Sequence, residues 1–109
     1  MSEDSEIKLS VYNERDERAG SILLEKRPEG LYMVWIGVFH RNRGKGYGTR
    51  LVDMAKRYGS ARGYAILRGY LDENPEGYSD RKTFFRKFGE IGLVGGVELF
   101  TIRIDERKD

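Results

Sequence analysis

Apolar and polar residues alternate from Ile7 to Tyr12, with Ile7, Leu9 and Val11 on one side and Lys8 and Ser10 on the other. A period of two marks a half-buried β-strand. Asn13 to Arg18 is wholly polar and predicts a turn. Ile22, Leu23 and Leu24 carry a second strand within Gly20–Lys26. Arg27-Pro28-Glu29-Gly30 predicts a tight turn, since proline presets φ and glycine tolerates a positive one. Leu31 to Phe39 reads LYMVWIGVF. So continuous an apolar run predicts a strand covered on both faces, hence a central one. Tyr32 and Trp35 are then expected in the core.

Past Gly48 the period changes. Leu51, Met54, Ala55 and Tyr58 fall at i, i+3, i+4 and i+7, with Asp53, Lys56 and Arg57 opposite, which predicts an amphipathic helix. Gly59 and Gly63 are expected to mark its end. Tyr64 to Leu71 predicts a strand, and Asp72 to Tyr78 a polar loop. Phe84, Phe85 and Phe88 form the stripe of a second helix that Ser79 or Asp80 can cap and Gly89 can end. Two apolar runs around Gly95-Gly96 predict a hairpin with a two-residue turn. The order is β-β-β-α-β-α-β-β, an α/β (α+β) arrangement in one domain over residues 1–109.

Composition narrows the chemistry. With 109 residues the chain can bury a core of its own. The net charge is only +2, from 20 basic and 18 acidic residues, so nothing pushes it toward nucleic acid or an anionic membrane. It has no cysteine and one histidine, His40. That excludes disulfides, thiolate zinc sites, a cysteine nucleophile and a multi-histidine metal site. The acidic start, Met1 to Glu6, is not a signal peptide, and no apolar run is long enough to span a bilayer. A cytoplasmic protein is expected by default.

The stretch Arg43-Gly44-Lys45-Gly46-Tyr47-Gly48-Thr49-Arg50-Leu51 is the candidate for chemistry. Lys45-Gly46-Tyr47-Gly48 matches half of the octamer of RNA-recognition motifs. The later aromatics are missing, and the residues after Gly48 have a helical period, so no exposed strand is there to stack bases. The spacing also fails G-x-x-x-x-G-K-[ST] and G-x-G-x-x-G. What remains is a strand, a glycine-rich loop and a helix start. First-turn N–H groups lack helix partners and sit at the positive end of the dipole. A diphosphate satisfies both where no Cβ obstructs it. Packing alone is the competing explanation of the glycines.

Val38-x-x-x-x-Arg43-Gly44-Lys45-Gly46-Tyr47-Gly48-Thr49-x-Leu51 resembles the acyl-CoA-binding motif of the GNAT superfamily of N-acetyltransferases, whose pattern is Arg/Gln-x-x-Gly-x-Gly/Ala. Phe85-Arg86-Lys87-Phe88-Gly89 resembles the family's Y-x-K-x-G-F, and the likeness extends over about residues 7 to 104. It implies a mixed, mostly antiparallel sheet. It implies that the backbones of Arg43, Gly44, Lys45, Gly46, Tyr47, Gly48 and Thr49 hold the diphosphate of acetyl-CoA, the cosubstrate. The pantetheine arm would run along Ile36 to Val38 and near Tyr70-Leu71, between strands that splay apart, with Phe85 lining it. The Val38 backbone region would bind the acetyl carbonyl, and an amine would attack the thioester directly.

Two departures from the family's pattern bear on function. The second helix has Phe85 where many members have a tyrosine proposed to protonate the thiolate. Tyr78 or Ser79 at the helix head is the substitute, unless thiolate leaves directly; a non-catalytic acyl-CoA-binding module is the alternative function. Only three strands precede the loop, without the family's N-terminal helices. The acceptor groove is therefore expected to be open, suiting a protein or peptide amine, or else covered by a partner in a homodimer. Glu25, Asp72 and Glu73 are carboxylates near the expected cleft that could relay a proton. His40 sits in the loop after Val38, where the family often has proline, and reads as a surface residue rather than a catalytic one; Tyr32 or Trp35 could line the acceptor site.

Overall fold

The computed structural model describes residues 5–71 and 76–104. Six strands and two helices follow one another: β1 (Glu6–Tyr12), β2 (Arg18–Arg27), β3 (Gly30–Val38), α1 (Tyr47–Ala61), β4 (Ile66–Tyr70), α2 (Tyr78–Arg86), β5 (Glu90–Val94) and β6 (Val97–Arg103). A single 3-10 turn, His40–Asn42, stands between β3 and α1. The sheet order is β1-β2-β3-β4-β6-β5. All pairings are antiparallel except that of β3 with β4. The element order and mixed sheet agree with expectation.

Both helices cover one face of this sheet. Gly59 of α1 packs against Leu31 and Ile104, and Phe85 of α2 stacks on Phe100 of β6 at 4.2 Å between centroids. Phe100 and Ile102 share that face with their β4 partners Gly69 and Leu67. The core between helices and sheet holds Ile22, Leu24, Leu51, Val52, Ala55 and Phe100, all with no solvent exposure.

β3 is central, but it is not covered on both faces. Leu23 pairs with Trp35 while Leu24 pairs with Met33, so Val34 is an extra residue in β3. Such a bulge shifts the side-chain alternation by one. Before it Leu31 and Met33 face the helices; after it Ile36 and Val38 do. The run is apolar because the buried phase switches. Val34 and Trp35 are left 43% and 45% exposed, which corrects the expectation that Trp35 is core.

Smaller corrections concern element ends. Gly59 lies inside α1, where it gives Leu31 and Ile104 room against the helix, and α1 continues to Ala61. The helix therefore stops beyond the first glycine. α2 begins at Tyr78 behind Gly77, which has φ 80°, and no side chain caps it, so neither Ser79 nor Asp80 serves as N-cap. The Gly95-Gly96 turn, with φ 61° and 83°, joins Val94 to its partner Val97 as expected.

Candidate functional site

β3 and β4 pair only at Leu31–Leu67 and Tyr32–Arg68. Beyond that point the two strands part, and among the described residues the β4-facing side of β3 from Val34 to Val38 has no paired strand. The bulge at Val34 falls where this gap opens. Unpaired backbone amides beside an open gap can bind the amides and carbonyl of an extended ligand in the manner of a strand.

The gap leads on the helix face into a cleft of about 530 Å³. Ile36, Gly37 and Val38 form one wall, the Arg43–Thr49 loop the floor, and α2 the other wall through Phe84 and Phe85. The floor is the head of α1. Its N-cap is Gly46 at φ 84°, no side chain caps it, and its first turn contains no acid. The amides of Tyr47, Gly48 and Thr49 are thus donors without a helix partner, at the positive end of the dipole. A Cβ at Gly44 or Gly46 would meet no protein atom within 4 Å. Their bare backbone borders open space, the geometry a diphosphate needs. Gly48 answers a different need, since a Cβ there would come 3.3 Å from the ring of Phe84.

Asn42 adds a polar group beneath the loop. It is 4% exposed, its Oδ1 accepts from Asn13 Nδ2 at 3.4 Å, and its own Nδ2 has no acceptor among the described residues. A buried donor without a partner costs about 1–3 kcal/mol. An oxygen-rich ligand in the cleft that Asn42 lines is compatible with that donor. Arg43 folds back, donating from Nε to the Val38 carbonyl at 3.2 Å, and so ties the loop to the end of β3.

Of the residues expected at the coenzyme, Ile36, Val38, Arg43, Gly44, Gly46, Tyr47, Gly48, Thr49 and Phe85 line this one cleft. Lys45 does not; its side chain borders a separate hollow with Arg15 and Arg41. Tyr47 is only 7% exposed, so it offers no face to a base. Sequence reasoning missed Asn42, Asp80, Arg81, Phe84 and Lys87 as lining residues. The last four share the α2 face set by i, i+3, i+4 spacing from Phe84, which was readable once that helix was placed beside the loop.

The expected catalytic groups lie elsewhere. Tyr78 donates its hydroxyl to Glu98 Oε1, and Lys82 Nζ holds Glu98 Oε2 at 3.0 Å. This cluster fastens the head of α2 to β6, and Tyr78 does not line the cleft. Accordingly, Tyr78→Phe is expected to lower stability by about 1.5–3 kcal/mol, as for a hydrogen bond to a charged group. Turnover should stay within about twofold, as the cluster touches no reacting atom. Denaturant melts and steady-state rates check the two halves. Glu25 lies on the sheet face opposite the helices, paired with Tyr32 across the strands and bound to Arg27 at 2.6 Å. The Arg27 guanidinium lies over the Tyr32 ring, 3.8 Å from its centroid, and its pKa is raised by the hydrogen bond and charge of Glu25. Burial pushes the Tyr32 phenol up, with neighbouring Tyr70 adding to the rise, so it stays protonated near neutrality. Asp72 and Glu73 lie outside the described residues. Among the described residues no three His, Asp or Glu side chains gather into a metal site, and no helix is long and apolar enough to cross a membrane.

The profile of the acetyltransferase (GNAT) family matches residues 2–89. The chain belongs to the GNAT family of acetyltransferases. Its fold is similar to that of a candidate acyl-CoA N-acyltransferase from Klebsiella pneumoniae, at TM-score 0.77 and 14% identity, over 92% of this chain and 73% of that one. It is similar to Tetrahymena GCN5, at TM-score 0.75 and 18% identity, over 98% of this chain and 73% of that one. It is also similar to PaiA N-acetyltransferase from Thermoplasma acidophilum, solved with coenzyme A, at TM-score 0.73 and 15% identity, over 91% of this chain and 61% of that one. No curated protein matches in sequence. Such identities speak for the fold, and the family match speaks for acetyl-CoA as cosubstrate.

Proposed function

We propose that this GNAT protein transfers the acetyl group of acetyl-CoA to a primary amine carried by a peptide or protein. The observation that carries this reading is the uncapped head of α1, with Gly44 and Gly46 bare beside it, opening onto the gap between β3 and β4. The coenzyme supplies an activated acyl group as a thioester. The first-turn amides of α1 hold its diphosphate, the apolar wall of Ile36, Val38 and Phe84 excludes water from the arm, and free backbone amides of β3 beyond Tyr32 polarise the acetyl carbonyl. The amine nitrogen forms the C–N bond as the C–S bond breaks, and the coenzyme sulfur leaves with the electron pair as a thiolate, which takes a proton from solvent. The amine gives up its proton to solvent at the open mouth of the gap.

Support for a macromolecular acceptor comes from the sheet face away from the helices. No described element covers it, and Trp35 and Tyr70 stand 45% and 55% exposed there. An open face suits a chain laid across it better than a small metabolite needing enclosure. Mass spectrometry of lysine peptides, a polyamine and an aminoglycoside, each incubated with protein and acetyl-CoA, tests the reading. Acetylated peptide is expected; efficient acetylation of the small amines alone would overturn it.

Phe85 shapes the pH dependence. It is 4% exposed, stacked on Phe100, and has no proton to give. The rate is expected to rise with pH as the amine deprotonates and then to level off. The falling limb that a tyrosine donor imposes near about pH 10 should be missing. A pH profile of kcat over that range checks it.

A further inference from the structure

The face opposite the helices carries more than an open mouth. Tyr32 of β3 and Tyr70 of β4 reach across the widening gap, their rings 5.6 Å apart and edge to face. Trp35 stands beside them on β3. On its other side is a cup of about 160 Å³. Gly20, Ser21 and Gly37 form its floor, and Trp35 and Phe39 its walls. Lys8 and Arg18 line it too. The Arg18 guanidinium lies 5.6 Å from the Phe39 ring centroid. Neither cation has an ion-pair partner among the described residues, nor has Arg68, which points from β4 to the same face. Glu25, the carboxylate nearest in register to Tyr32, is already bound to Arg27.

A shallow cup with a floor of small residues, aromatic walls and two free cations fits a short side chain ending in a carboxylate. We propose that this face docks the acceptor as an extended acidic peptide, one Asp or Glu seated in the cup while the amine enters between Tyr70 and Trp35. The proposal rests on the acetyl-transfer reading above. The cup lies over β1 to β3 and the gap between β3 and β4, about two strand spacings or ~10 Å apart. Extended chain covers that distance in about three residues. The acidic residue therefore stands about three positions from the acetylated one. The free cations make the site selective against lysine- and arginine-rich acceptors, and the selectivity weakens with salt.

The chain has one tryptophan, Trp35, so its emission reports docking whether or not turnover follows. Two peptides are compared, each with one free lysine, and with aspartate or lysine three positions away. The acidic peptide is expected to shift Trp35 emission to the blue, saturably, with at least tenfold tighter binding than the basic one. In the double variant Lys8→Glu/Arg18→Glu the order should reverse, while acetyl-CoA affinity stays unchanged. Equal response to both peptides, no response to either, or a preference that survives in the double variant overturns the proposal. So does a single-stranded oligonucleotide that shifts the emission where the acidic peptide does not. Failure of wild-type protein to bind acetyl-CoA would instead remove the catalytic reading and leave the docking result standing or falling by itself.

Discussion

Gly46→Val is expected to raise the dissociation constant for acetyl-CoA by about two orders of magnitude, on the basis of about 1.5–3 kcal/mol for each lost hydrogen bond to a charged group. Gly46 is the N-cap of α1 at φ 84°, and its absent Cβ would face open space rather than protein. The protein therefore has room for the side chain, but a ligand at the helix head does not. Left-handed backbone costs a non-glycine residue about 1–2 kcal/mol, and a β-branched one tolerates it poorly. That strain has to be separated from the loss of binding. Gly63, just past the end of α1, has φ 82° and equally open surroundings, but it is far from the cleft floor. Gly63→Val should show similar destabilisation with unchanged coenzyme affinity. Calorimetric titration of both variants, with melts alongside, checks the pair. Equal affinities for Gly46→Val and wild type would remove the loop from the coenzyme site.

Gly89→Ala is expected to be the most destabilising single methyl in the chain, at about 3 kcal/mol or more. Its Cβ would lie 2.0 Å from the Thr101 carbonyl oxygen, 2.9 Å from the Thr101 carbonyl carbon and 3.0 Å from Ile102 Cα. All three are backbone atoms of β6, a strand paired on both sides, so no rotamer change relieves the contact. Gly89 also ends α2 by donating its N–H to the Phe85 carbonyl at 3.2 Å. The motif glycine of Phe85-Arg86-Lys87-Phe88-Gly89 is thus a point of backbone contact between helix and sheet. Urea unfolding checks this. A loss under about 1 kcal/mol would mean that β6 yields where its pairing says it cannot.

Much of the fold was legible because its signals are local. The period change after Gly48 and the Gly95-Gly96 turn are read within a few residues, and the structure places α1 and the β5–β6 hairpin accordingly. Trp35 was misplaced because a bulge leaves no local mark. A run apolar in both phases reads the same whether both faces are covered or the buried phase switches at Val34. The cap of α2 was misread because Gly77 closes the turn through a positive φ, although Ser79 and Asp80 are the better capping residues by type. At the site, the loop was legible as a contiguous motif. The α2 wall was not, since Asp80, Arg81, Phe84 and Lys87 join the cleft only through packing of Phe85 on Phe100. Asn42 was invisible for the same reason: its orphaned amide exists only once Asn13, far away in sequence, takes up its oxygen. Tyr78 shows the converse. Its place at the head of α2 suggested a donor to the thiolate, but its hydroxyl is spent on Glu98, a residue in another strand.

The most direct test of the account is release of free coenzyme A thiol from acetyl-CoA by the purified protein, with and without lysine peptides. The account predicts slow release alone, faster release in step with added peptide, and one acetyl group gained per thiol freed. Tight binding of acetyl-CoA with no peptide-dependent thiol release would contradict it and make the protein a non-catalytic acyl-CoA-binding module.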